Sequence, residues 1–274
     1  MHHRAFFSAV VLVSALGFSA CEDTTGAHDE RQLTLAFSMA SPTTSAQLSG
    51  GSTANLREDV VVTGSNGTLV ISDVAFIVDE FKLERSDDAC EGVDGEDDLD
   101  DDCENFETGV EFVRLPLTGA TAAVVTRSVP VGTYTEIKFE VADADLDEAA
   151  DDDDAEEIIA LIEQIEAAGF TDWPADASLV IVGTFTPTGG EPRPFTAYFE
   201  AEVKVEMAFD PALVIDGENG TVDVEIDPAA WFGNPDGTVI DLSMFDFVST
   251  GQVVEFEAKM EHGFRKIELE GFDD

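Results

Sequence analysis

The sequence predicts a mainly β fold, an antiparallel β-sandwich of eight or more strands with one or two covering α-helices. Runs rich in valine, isoleucine, threonine and phenylalanine recur along the chain with apolar–polar alternation, and turn residues separate them. Helical spacing of apolar residues appears in only two places. Twenty phenylalanines against two tryptophans and two tyrosines supply a large apolar core. Many strands with few helices pack as sheet on sheet. No proline-rich linker interrupts residues 31–274, which are therefore expected to form one domain.

The chain opens with Met1-His2-His3-Arg4, an apolar run from Ala5 to Gly17, and Phe18-Ser19-Ala20-Cys21. A charged start, an apolar stretch and small residues before a cysteine resemble a bacterial lipoprotein signal, with Phe18 where leucine is commonest. Residues 1–20 are expected to be the signal peptide and Cys21 the lipidated residue. The apolar run is too short to cross a bilayer, which takes about 20 residues. Residues 21–30 are polar and unpatterned, as expected of a tether.

Strands are then predicted at Leu33–Ala40, Thr68–Leu83, Val110–Leu117, Ala122–Val129 and Glu136–Ala142. Further strands are predicted at Ser178–Thr186, Phe195–Phe209, Gly220–Ile226 and Thr238–Leu242. Ser41 to Glu58, rich in serine, threonine and glycine, reads as a long loop. Pro130-Val131-Gly132-Thr133-Tyr134 reads as a tight turn, with proline presetting one dihedral and glycine allowing a positive one. One helix is predicted over Asp152–Ala168, where Ile158, Leu161, Ile162 and Ile165 share a face and acids fill the first turn. A second is predicted over Gln252–Ile267 from Val253, Phe256, Met260, Phe264 and Ile267, although Val254, Phe256, Ala258 and Met260 also alternate as in a strand.

Thirteen basic against 59 acidic residues give a formal net charge of −46. Such a surface repels nucleic acid and anionic membranes, leaving the Cys21 lipid as the expected membrane contact. Twelve acids lie between Asp87 and Glu107 and ten between Asp143 and Glu157. Calcium takes six to eight oxygen ligands, so these loops supply its candidate ligands. They are Asp94, Glu96, Asp98, Asp100 and Asp102 in the first loop. Asp143, Asp145, Asp147, Asp151 and Asp154 are those of the second. The second set follows an EF-hand count, but Glu148 stands where that loop needs glycine. The spacing favours solvated acidic loops that bind cations loosely over a specific calcium site. With Cys21 lipidated, Cys90 and Cys103 remain as a pair expected to form a disulfide across the first loop.

Several segments look familiar: Gly67-Thr68-Leu69-Val70-Ile71-Ser72-Asp73-Val74, Val129-Pro130-Val131-Gly132-Thr133-Tyr134, Gly183-Thr184-Phe185 with Pro194-Phe195-Thr196, and Ile226-Asp227-Pro228-Ala229-Ala230-Trp231-Phe232. Over residues 31–245 the chain resembles uncharacterised bacterial surface lipoproteins of the domain-of-unknown-function type. That resemblance implies an exported β-sandwich without an assigned reaction, and it carries over no catalytic residue.

Catalytic chemistry finds little footing. Nucleophilic catalysis needs a base beside serine or cysteine, and His262 is the one histidine after the tether. No phosphate loop, serine elbow or zinc-ligand pair appears. The expected function is a non-enzymatic, lipid-anchored binding or structural protein of the cell envelope, with calcium as candidate stabilising ion and a glycan or surface protein as candidate partner. The alternative is a carbohydrate-binding lipoprotein. Among Tyr134, Trp173, Tyr198 and Trp231, the residue expected to be exposed for sugar stacking is Trp173, between helix and strand beside Pro174. Trp231 is expected to plug one end of the sandwich.

Overall fold

The computed structural model describes residues 30–40, 59–86, 106–118, 120–143, 155–216, 219–256 and 260–272. The expected signal peptide, Cys21, the expected tether up to residue 29, the expected loop over 41–58, Cys90 and Cys103 lie outside them. So do Asp94, Glu96, Asp98, Asp100, Asp102, Asp145, Asp147, Asp151 and Asp154, which leaves Asp143 as the candidate calcium ligand inside.

The fold is mainly β, with two facing sheets and few helices. One sheet runs in the order β13 (Phe264–Glu270), β11 (Gly220–Ile226), β1 (Glu30–Met39), β6 (Thr121–Pro130). The other runs β10 (Val203–Ile215), β7 (Gly132–Val141), β3 (Gly67–Arg85), β8 (Leu179–Pro187), β9 (Arg193–Glu200), β12 (Val254–Glu255). Three short strands, β2 (Val60–Gly64), β4 (Phe106–Thr108) and β5 (Glu111–Arg114), pair with successive stretches of β3. Most pairings are antiparallel. The exceptions among the described residues are β1 with β11 and β12 with β9, which are parallel.

Strand β3 is the spine of the fold, and its alternation explains how it stays so. Leu69 and Ile71 face the main core, a register shift falls between Ile71 and Asp73, and Val74, Phe76 and Val78 then take over. A second shift between Val78 and Phe81 passes the inward face to Phe81 and Leu83. Each extra residue flips the side-chain parity of the strand, so two bulges return the apolar set to the same side while bending it.

The core lies between the sheets. Leu33, Leu35 and Phe37 of β1 and Val222, Val224 and Ile226 of β11 meet Phe76 and Phe81 of β3 and Phe139 of β7. The Phe37 ring lies edge-on to those of Phe76 and Phe139, at 5.3 and 5.6 Å. Burying each such side chain stabilises by roughly 1.5–3 kcal/mol. As expected, Trp231 plugs the sandwich: it is fully buried in the one-turn helix α2 (Ala229–Phe232), which follows the covering helix α1 (Ala155–Ala167), and its indole N–H donates to the Met260 carbonyl at 3.0 Å.

A third layer covers the outer face of the β3 sheet. Helix α1 sets Leu161 and Ile165 against Ile77, with Val110, Phe112, Phe170 and Trp173 around them. Arg114 pins the helix end. Its Nε donates to Asp73 Oδ1 at 3.0 Å, its Nη2 to Asp73 Oδ2, and its Nη1 to the Ala168 carbonyl at 3.1 Å, while the guanidinium lies over the Phe170 ring.

Four sequence expectations need correction. The helix expected over Gln252–Ile267 is instead β12, a one-turn 3-10 segment at Glu261–Gly263, and β13. Its apolar residues fit both periods, and pairing with β11 decides for the strand, while Gly263 lets the chain pass close to the Trp231 indole. A side chain there would collide with the Trp231 indole, and β11 offers an edge that Phe264 and Ile267 pair with as a strand. The strand expected at Thr238–Leu242 reduces to a single bridge between Gly233 and Val239. Asp241 breaks it, because its carboxylate accepts the Ser243 N–H at 3.1 Å and starts a 3-10 turn at Leu242–Phe245. The run Phe195–Phe209 divides into β9 and β10 around Ala201 and Glu202, and β2 and β4 were not foreseen. At the expected turn, Gly132 does not take a positive φ; a Cβ there would press on the Arg85 guanidinium at 3.2 Å, and that guanidinium holds the Val131 carbonyl at 3.0 Å.

Candidate functional site

Among the described residues a cleft of about 330 Å³ lies where the edges of the two sheets meet beneath α1. Strand β5 supplies Glu111, β6 supplies Val124, Val125, Thr126 and Arg127, and α1 supplies Glu157, Ala160 and Gln164. These positions follow from the local sequence. Glu111 opens a strand whose Val113 faces the core, and parity keeps Glu111 on the same inward side, so its side chain is 11% exposed. Glu157 lies in the first turn of α1, where an acid complements the helix dipole. Gly109, between β4 and β5, makes room for it: a Cβ there would collide with the Glu157 carboxylate.

The electrostatics of the cleft are unbalanced. Arg127 Nη2 donates to Glu111 Oε1 at 3.3 Å, and half of the Arg127 side chain faces solvent. The second Glu111 oxygen has no hydrogen-bond partner among the described residues. Burial pushes the Glu111 carboxyl above its ordinary range; Arg127 pulls it down and the negative charge of Glu157 pushes it up again. Glu157 thus adds a second negative charge near the Glu111–Arg127 pair. A hollow of similar size beside Phe264 is lined by Lys204 and Glu206, both exposed, so no buried charge faces it.

The acids singled out in the sequence meet structure at one point. Asp143 lies close enough to Glu200 to act on it, together with Glu255, Asp176 and Glu202. Loss of solvation and these four negative neighbours together raise the Glu200 carboxyl. Glu200 and Glu255 stand directly opposite each other on the parallel pair β9 and β12, an arrangement that repels. Among the described residues no group of three or more histidine, cysteine, aspartate or glutamate side chains is arranged to hold a metal ion.

Trp173 is half-buried rather than open. Its ring makes edge contacts with Phe112, Phe170 and Tyr198 at 5.9, 5.8 and 5.4 Å, and its N–H donates to the Ala177 carbonyl at 2.6 Å. The aromatic row continues from Tyr198 to Phe247. The sequence reading expected Trp173 to be exposed and missed that three separate segments bring rings to it. Glu111 and Arg127 were also missed. A buried carboxyl in an alternating strand gives no signal when 59 acids surround it.

His262, the one histidine among the described residues, is exposed in the 3-10 turn before β13. No described helix is long and apolar enough to cross a membrane. The fold and cleft thus define an acidic β-sandwich with a charged hollow at the seam of its sheets. The chain matches no family model and no curated protein. Among solved structures it is similar to MbnP from Methylosinus trichosporium, with 12% sequence identity, 72% of this chain and 76% of that chain covered, and a TM-score of 0.33.

Proposed function

We propose that the chain is a lipid-anchored, extracytoplasmic binding protein without enzymatic activity, tethered through Cys21 and stabilised by calcium at its acidic loops. The observation that carries this reading is the Phe18-Ser19-Ala20-Cys21 box after a short apolar run, followed by a polar tether that leads into β1. Support for calcium comes from Asp143, which begins the second acidic stretch beside Glu200, Asp176, Glu202 and Glu255, where added positive charge would relieve repulsion. Trp173 gives the carbohydrate alternative no comparable support, because its ring and N–H are already engaged.

Metabolic labelling with a palmitate analogue tests the anchor. The chain should take up label and sediment with membranes, and Cys21→Ala should do neither; equal labelling of the variant would refute lipidation at Cys21. Calcium should raise the thermal midpoint by mass action even in high sodium chloride.

A further inference from the structure

We infer that Asn219-Gly220, at the entry to β11, is a site of self-modification, where the Asn219 side-chain amide closes on the following backbone nitrogen and is hydrolysed to aspartate or isoaspartate. Asn66-Gly67, the other Asn-Gly pair of the chain, is held back by its contacts. Glycine makes such pairs reactive, because it has no Cβ to obstruct the ring that forms at its nitrogen. This inference goes beyond the binding reading and does not depend on it.

Hydrogen bonding, not exposure, separates the two pairs, for both asparagines are exposed. Asn66 sits in the turn between β2 and β3, where its Nδ2 donates to the Val239 carbonyl at 2.8 Å and its Oδ1 accepts the Val239 N–H at 2.9 Å. Its own backbone carbonyl accepts the Thr188 N–H at 2.9 Å, and the neighbouring Ser65 N–H donates to the Gly237 carbonyl. The Asn66 Cγ cannot turn toward the Gly67 nitrogen without giving up both side-chain bonds. Asn219 has one such bond, from the Gln32 N–H to Oδ1 at 3.1 Å, and its Nδ2, the leaving nitrogen, donates no hydrogen bond among the described residues. A donor at that oxygen stabilises the negative charge that develops there during attack.

Water and hydroxide are the only co-reactants. Hydroxide takes the proton of the Gly220 N–H, the nitrogen bonds to the Asn219 Cγ, and the intermediate expels ammonia after a proton returns from water. A cyclic imide remains. Water then breaks the new Cγ–N bond to give aspartate, or the original peptide C–N bond to give isoaspartate, which carries the main chain through the side-chain methylene. The two products differ in consequence. Aspartate keeps an oxygen for the Gln32 N–H. Isoaspartate lengthens the backbone directly before Gly220, whose Cα lies so close to the Phe272 ring that no Cβ fits. There β11 begins to pair with Leu33 of β1 and, one residue on, with Glu270 of β13, so the sheet loosens at the end where β1 enters it.

The test incubates the full-length chain in nonionic detergent and mildly alkaline buffer, and follows each asparagine by peptide mass spectrometry as its NH2 is replaced by OH. Electron-transfer fragmentation separates aspartate from isoaspartate. In the folded chain Asn219 should convert about tenfold faster than Asn66, the factor set by the extra hydrogen bonds that Asn66 must break. In concentrated urea the two rates should come within about twofold of each other, once those bonds are gone. Asn219→Ser should remove the fast conversion, and Asn66→Ser should leave it. Hydrogen exchange at Leu33, Thr221 and Leu269 should rise in the isoaspartate fraction and stay at the parent level in Asn219→Asp. Asn66 converting as fast as Asn219 in the folded chain, a ratio unchanged by urea, or an Asn219 that stays intact while the unfolded chain converts would overturn the inference.

Discussion

Glu111 is held out of water by the packing of β5, and its folded-state carboxyl therefore binds a proton more readily than the ordinary value of 4.5. A group shifted upward contributes stability that is complete below its unfolded value and is lost as pH rises through its folded value. At neutral pH the charge on Glu111 thus costs stability, and Glu111→Gln removes that titration. The thermal midpoint of the variant relative to the parent should be more favourable at about pH 7.5 than at about pH 4. An offset that stays constant with pH would mean that Arg127 compensates Glu111 completely. Arg114 presents the opposite case, a charge whose partners are all present: both Asp73 oxygens, the Ala168 carbonyl and the Phe170 face. Arg114→Ala should lower unfolding free energy in urea by about 1–2 kcal/mol, held down because the side chain is over a third exposed. Hydrogen exchange in α1 should rise with it, since the helix loses the anchor at its C-terminal end.

At the scale of elements, the segment from Asp241 to Gly251 is organised by side-chain caps rather than by sheet pairing. Asp246 accepts from the Ser249 hydroxyl and N–H at the start of the one-turn helix α3 (Phe247–Thr250), and from the Thr196 N–H of β9. Burial alone would raise its carboxyl, but the bonds from Ser249 and Thr196 hold it below the ordinary range. Its contribution is therefore present at neutral pH and lost as pH falls through the depressed folded value. Asp246→Ala should cost about 1 kcal/mol at neutral pH and less in acid, as read from denaturant midpoints. Trp231 works between elements, joining α2, the Met260 carbonyl and the Phe264 ring. Trp231→Ala should cost about 3–5 kcal/mol and loosen β13, the strand that sequence periodicity left ambiguous.

For the whole molecule, several of the scarce cations sit in cross-strand pairs along the exposed face of the β3 sheet. Lys138 bonds Glu84 at 2.8 Å and Lys204 bonds Glu140 at 3.3 Å, yet 59 acids leave a large uncompensated charge. Self-repulsion of that size should make the thermal midpoint rise with sodium chloride. Calcium should add a further rise that survives high salt if carboxylates gather around it, and no further rise if it only screens. Differential scanning calorimetry across both series separates the two.

Much of the fold was legible because alternation is local. The strands around Leu33–Phe37, Thr68–Leu83 and Gly220–Ile226 and the helix around Leu161 and Ile165 carry their burial pattern in consecutive residues. The helical and strand periods coincide near Phe264, and there the open edge of β11 chose the strand. The cleft lay further from view. Glu111, Arg127 and Glu157 come from three elements and look like ordinary surface charges in the chain. By itself the sequence determined the β class, the covering helix and the acidity, since each is a property of neighbouring residues. Tertiary structure decided the parallel pairing of β1 with β11, the bulged path of β3 and the desolvation of Glu111, because each depends on residues brought together from distant parts of the chain.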